Sequence, residues 1–94
     1  MNTAQGSLLI VDDDRQNRLL LAARLKSAGY VTAMAENGRQ ALEMLRAQPF
    51  DLVLLDLLMP GEDGFNVLSF MRADSEARAT KVVILSNLSA SETI

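Results

Sequence analysis

Leu52-Val53-Leu54-Leu55 is an unbroken run of four apolar residues held between Asp51 and Asp56. A strand with one wet face alternates apolar and polar side chains, and this run does not. Four consecutive apolar residues with polar ends are the pattern of a strand buried on both faces of a parallel sheet. Leu8-Leu9-Ile10-Val11 and Val82-Val83-Ile84-Leu85 have the same form. Val31 to Ala35 is more mixed and suits a strand nearer the sheet edge.

The segments between these runs have helical spacing. In the first, Leu21, Leu25 and Ala28 fall at i, i+4 and i+7 with Leu20 beside them, Asp13 or Asp14 is placed to cap its start, and Gly29 to end it in a left-handed conformation. The second opens at Asn37-Gly38, carries Ala41, Leu42 and Leu45, and is stopped by Pro49. The third follows Asp63-Gly64, with Asp63 as cap and Phe65, Leu68 and Met71 on one face. The resulting order, β-α-β-α-β-α-β, predicts an α/β fold, a parallel sheet with helices on both faces and right-handed crossovers. There is no internal repeat or linker, so residues 1–94 read as a single domain with 1–7 as a flexible tail. Ser89 to Ile94 read as the start of another helix.

Composition narrows the chemistry. The chain has 94 residues, enough for one modest core that buries roughly 60–65% of the unfolded surface. Nine Lys and Arg, scattered among 12 acids, leave a net charge of −3, which makes no electrostatic case for nucleic acid. The absence of cysteine excludes disulfides and thiolate chemistry, and the absence of histidine removes the commonest general base. Carboxylates are the main chemical resource left. No basic, apolar leader precedes Ser7, and no apolar run approaches the ~18–20 residues that cross a bilayer. A cytoplasmic location is the expectation.

Asp12, Asp13 and Asp14 follow the first apolar run directly, and Asp56 follows the third in the same way. Ligand sites of open α/β sheets lie beyond the carboxyl ends of the strands, where the winding reverses. If strands one and three are neighbours, their ends lie ~4.8 Å apart and the aspartates can share a cation. Oxygen donors without His or Cys suit Mg²⁺ better than Zn²⁺. An ionised Asp beside such an ion can attack a phosphoryl group and become an acyl phosphate. Taken singly, each Asp is more ordinarily a helix cap or a turn residue, and Asp14 is expected to be no more than that. The combination of an acidic pair after one strand and a lone Asp after another points to a cation site.

The residues Leu9 to Asp14, and above all Pro49-Phe50-Asp51-Leu52-Val53-Leu54-Leu55-Asp56-Leu57-Leu58-Met59-Pro60-Gly61-Glu62-Asp63-Gly64, resemble the receiver domain of two-component response regulators. Asn37-Gly38 before Ala41-Leu42 fits the second helix of that family, and the similarity runs from Leu8 onward. The resemblance implies a flavodoxin-like, doubly wound sheet. It implies that Asp56 accepts a phosphoryl group from a phosphohistidine, on a sensor histidine kinase or a phosphotransfer protein. Asp12, Asp13, Asp56 and the backbone carbonyl of Leu58 would hold Mg²⁺. Ser86 matches the hydroxyl residue that turns toward the phosphate and biases a two-state surface.

The chain departs from the family pattern in three places. Receivers continue through a fourth helix, a fifth strand and a fifth helix, on the order of 25–30 further residues at typical element lengths. The fifth strand supplies a phosphate-binding lysine, and Lys81, at the start of the fourth strand, cannot replace it. No catalytic lysine is therefore expected in this chain, which reads as truncated after the fourth strand and as a fragment of a longer protein. Asn87 stands where the family often has a small residue, so small phosphodonors should react more slowly than with an Asn87→Ala variant. Leu58 and Leu88 stand where polar side chains are frequent. They cannot hydrogen-bond an attacking water, so a long-lived acyl phosphate is expected. A fourth strand without a further neighbour would also be an edge open to self-association.

Two other readings compete with the signalling switch. One is a degenerate, phosphate-independent interaction module, favoured by the missing lysine and opposed by the intact acids. The other is a phosphoaspartate hydrolase, which needs a second Asp two residues after the nucleophile, where this chain has Leu58. Binding of Mg²⁺ discriminates the first of these from the switch.

Overall fold

The computed structural model of the chain describes residues 6–59, 63–74 and 80–85. Its elements are β1 (Ser7–Val11), α1 (Arg15–Ser27), β2 (Val31–Ala35), α2 (Gly38–Ala47), β3 (Leu52–Leu55), α3 (Asp63–Ala73) and β4 (Lys81–Ile84). All strand pairs are parallel, in the order β2-β1-β3-β4. The chain steps from β1 outward to β2, then returns past β1 to β3. The winding thus reverses between β1 and β3, which pair with Val11 opposite Leu55.

Alternate residues of the central strands face two cores, as the two-residue period of a strand requires. Leu9, Val11, Val53 and Leu55 pack with Ala41 of α2 and with Val67 and Met71 of α3. Ile10 and Leu54 pack on the other side with Ala22, Leu21 and Leu25 of α1. Because both faces are covered, β1 is apolar from Leu8 to Val11 and β3 along its whole length. β2 lies at an edge, as its mixed sequence predicts.

Local signals set the helix limits. Asp14 caps α1, its carboxylate accepting the N–H of Gln16 at 2.9 Å and that of Asn17 at 3.4 Å. The helix closes with Gly29 N–H to Lys26 O and Tyr30 N–H to Leu25 O, both 3.0 Å, a paired closure that needs the positive φ of 100° at Gly29. Asn37 caps α2 by accepting the Gln40 N–H at 2.8 Å. The Arg46 guanidinium lies 5.0 Å from the Phe70 ring centre and ties α2 to α3.

Five expectations need correction. Val83 and Ile84 are 44% and 40% exposed, so β4 is not buried on both faces: its only strand neighbour among the described residues is β3. Phe65 is 54% exposed, and the inner face of α3 is set instead by Gly64, Val67, Leu68 and Met71. In α1, Leu20 and Ala28 are exposed; the buried stripe runs through Leu21, Ala22 and Leu25. Ser7 does not belong to a tail, since it begins β1, and the carbonyl of Gly6 already accepts the Val31 N–H at 2.9 Å. Asp63 is the first residue of α3.

Candidate metal centre

The in-register pairing of β1 and β3 makes Asp12 and Asp56 the next residues beyond two adjacent strands. The Asp56 N–H donates to Val11 O at 3.0 Å, and the Asp12 N–H donates to Ala35 O at 3.2 Å. Both backbones are therefore fixed by continuations of the sheet ladder, one residue beyond each strand. Asp13 joins them: one carboxylate oxygen from each of Asp12, Asp13 and Asp56 lies within 4.8 Å of the others. Three hard oxygen donors at this spacing fit a magnesium-sized cation better than a metal that prefers nitrogen or sulfur.

The three acids differ in their surroundings. Asp12 is 4% exposed and the only buried polar or charged residue among those described. Burial raises its carboxyl pKa above the ordinary value, the adjacent Asp56 raises it further, and the Asp14 N–H opposes both. That N–H donates to Asp12 Oδ1 at 2.9 Å, while the Arg18 guanidinium donates to the Asp12 carbonyl at 2.8 Å. Asp13 is exposed and Asp56 half-buried. A cleft of about 260 Å³ opens beside them, lined by Asp12, Asn17, Leu20, Leu21, Asp56 and Leu85.

Leu58 follows Asp56 in a turn, and its N–H donates to Asp56 Oδ1 at 2.9 Å, which anchors one carboxylate oxygen to the local backbone. Its side chain is exposed. Lys81 sits at the start of β4 opposite Leu52, at the far end of the sheet from Asp56. Ser86, Asn87 and Leu88 lie outside the described residues.

Gly64 is a positional requirement that the sequence hinted at only through its place after Asp63. A Cβ there would lie 2.8 Å from both the Asp56 carbonyl oxygen and Leu57 Cα. The absent side chain lets the start of α3 press directly against the backbone that carries Asp56. Asn17 and Arg18 were not singled out in the sequence. Only the folding back of α1 beside Asp12 shows their connection to the acids.

Fold and acidic cluster together define a parallel α/β module with carboxylates gathered where its winding reverses, and comparison with known proteins assigns it. The family model for the response regulator receiver domain matches residues 8–94, and the chain belongs to that family. It is 43% identical over 75 residues to the DNA-binding response regulator MtrA of Mycobacterium tuberculosis, a match covering 80% of this chain and 33% of MtrA. The chain thus spans a third or less of the length of these curated relatives. The N-terminal domain of a response regulator receiver protein from Methanoculleus marisnigri superposes with a TM-score of 0.81 at 33% identity, covering 86% of this chain and 66% of that one. The response regulator TrrA of Thermotoga maritima, solved in complex with Mg²⁺–BeF, gives a TM-score of 0.80 at 33% identity, over 99% of this chain and 76% of that one. The flavodoxin-like fold is that of these neighbours. Receiver domains are switches of two-component signalling. Among the described residues, no helix is long and apolar enough to cross a membrane.

Proposed function

We propose that this chain is a phosphoacceptor module in which Asp56 takes a phosphoryl group from a phosphohistidine, on a sensor histidine kinase or a phosphotransfer protein in the cytoplasm. The observation that carries this reading is the convergence of Asp12, Asp13 and Asp56, with carboxylate oxygens within 4.8 Å of one another at the reversal point of the sheet. An Asp56 oxygen would attack phosphorus as the P–N bond breaks, the electron pair leaving with the imidazole. Asp12, Asp13, Asp56 and the Leu58 carbonyl would hold Mg²⁺. The ion would supply neutralisation of the charge on the transferred oxygens.

The chain's own contribution is preorganisation. Leu58 N–H holds one Asp56 oxygen, and the ladder bond to Val11 fixes the backbone beneath it. Asp12 is kept out of water beside it, so three acids are crowded where no described lysine reaches them. A divalent cation relieves that crowding. Ser86 would then meet the phosphoryl group as the switch hydroxyl. Asn87 would narrow the approach, and Leu58 and Leu88 would deny a hydrogen bond to attacking water and prolong the phosphorylated state. Exposed Val83 and Ile84 on β4 would further favour self-association along that strand.

The test is intact mass after incubation with acetyl phosphate, with and without Mg²⁺, for the native chain and Asp56→Asn. One Mg²⁺-dependent phosphoryl adduct, absent from the variant, is the expected result. A folded chain that takes up no phosphoryl group would instead be a phosphate-independent interaction module.

A further inference from the structure

The turn between β1 and α1 carries two of the three acids, and its backbone is held on both sides of Asp12. The Asp12 N–H donates to Ala35 O at the end of β2 at 3.2 Å. The Asp12 carbonyl accepts the Arg18 guanidinium, through Nη1, at 2.8 Å. The Asp14 N–H holds Asp12 Oδ1 at 2.9 Å. Asp13 has no such support: it is exposed, and its carboxylate meets no donor among the described residues. Its place is set by the backbone that carries it. The Asp12 carbonyl and the Asp13 nitrogen belong to one planar peptide unit, so a bond that fixes the first also fixes the direction in which Asp13 sets out.

From this geometry we infer that Arg18 is a positioning residue of the cation site, clamping the Asp12–Asp13 peptide so that the Asp13 carboxylate stands within reach of Asp12 and Asp56. The inference rests on the cation site proposed above. Helix stability does not account for half-buried Arg18, because a cation in the first turn of α1 opposes the helix dipole and a long side chain held still loses rotamer freedom. Nor does charge pairing: among the described residues, Arg18 forms no ion pair with Asp12, Asp13 or Asp56. It bonds a carbonyl and leaves the carboxylate oxygens open to an ion. Outer partners that orient metal ligands are typically worth about 10–100-fold in affinity. A positive charge near the site acts in the opposite sense, by repelling the cation. The sign of the change when Arg18 is removed therefore separates a clamp from a mere neighbouring charge.

The experiment is calorimetric titration with MgCl₂ of the native chain, Arg18→Met and Arg18→Lys, with folding followed by circular dichroism. Arg18→Met keeps the apolar stem and loses donor and charge, whereas Arg18→Lys retains both. We expect Arg18→Met to weaken Mg²⁺ binding by about tenfold and Arg18→Lys to stay within about threefold of the native chain. Affinity that is unchanged or tighter in Arg18→Met would overturn the clamp while leaving the cation site standing, and so would an Arg18→Lys as weak as Arg18→Met. No binding by the native chain would overturn both. Should Arg18→Met not fold, the native chain decides by NMR, because coupling between two bonds is reciprocal and a clamp that favours the ion must be tightened by it. The Arg18 guanidinium protons must then exchange with water more slowly along the same Mg²⁺ saturation curve as the Asp13 amide shift. Exchange that ignores Mg²⁺ would overturn the proposal.

Discussion

Asp51 and Asp56 flank the same strand, and the protein treats them in opposite ways. At the amino end of β3, Asp51 Oδ2 accepts the Ser7 N–H at 2.7 Å and the Ser7 hydroxyl at 3.3 Å, while its own N–H donates to Ser7 O at 2.9 Å. Its carboxylate is supplied with donors and joins the starts of β1 and β3. At the carboxyl end, Asp56 has the Leu58 N–H and two other acids for company. An acid satisfied by protein donors has a structural task. Acids crowded together with a shortage of donors are arranged for something that arrives from solution.

The sharpest way to break this comparison is to neutralise each acid in turn. Asp56→Asn should abolish the phosphoryl adduct, whereas Asp51→Asn should leave adduct formation and its Mg²⁺ dependence as in the native chain. Asp51→Ala, which removes the acceptor for Ser7, should cost about 1 kcal/mol in urea denaturation, the usual worth of such a bond. A loss of the adduct in a folded Asp51→Asn chain would show that the two ends of β3 are not independent.

A second prediction acts on backbone approach rather than charge. Gly64→Ala places a Cβ 2.8 Å from main-chain atoms of Asp56 and Leu57, where no flexible side chain can yield. We expect a loss of about 1–3 kcal/mol in stability, as for other overpacked sites, together with slower phosphorylation because the Asp56 backbone must shift. A variant as stable and as fast as the native chain would show that α3 is free to retreat from the site.

The smallest effect is a pH dependence. The raised pKa of Asp12 means that the folded chain holds this proton more tightly than the unfolded one. Its contribution to stability is therefore fully present below the ordinary carboxylate range, and is lost as pH rises through the raised value. At neutral pH, without cation, Asp12→Asn should raise the thermal midpoint of the chain. Excess Mg²⁺ should raise the native midpoint too, by about 1.4 kcal/mol of stability at roughly ten times its Kd, and should not do so in Asp12→Asn. Midpoints that move in parallel in both chains would separate the burial of Asp12 from cation binding.

Much of the fold was legible because β1 and β3 are buried on both sides, and unbroken apolar runs have few other uses. The run from Val82 to Leu85 has the same pattern, yet among the described residues only Val82 and Leu85 pack against the cores while Val83 and Ile84 are exposed, because such a run records β propensity and not what covers it. Phe65 misled for a related reason: it shares helical spacing with Leu68, but the close approach at Gly64 rotates the inner face of α3 onto Val67 and Met71. The candidate acids could be picked out by residue type and by position after a strand. Asn17 and Arg18 could not, because polar residues in a first helical turn are ordinary until the fold brings them over Asp12.

The sequence by itself determined the alternation of strand and helix, the absence of His and Cys chemistry, and the placing of acids just beyond β1 and β3. These follow from side-chain period and composition, which are local properties of a chain. Tertiary structure alone decided that β1 lies next to β3 in register, so that residues 44 positions apart, Asp12 and Asp56, end at the same height. It also decided that Asp12 is the buried acid and Asp51 the satisfied one, because burial and hydrogen-bond supply depend on which neighbours the fold delivers.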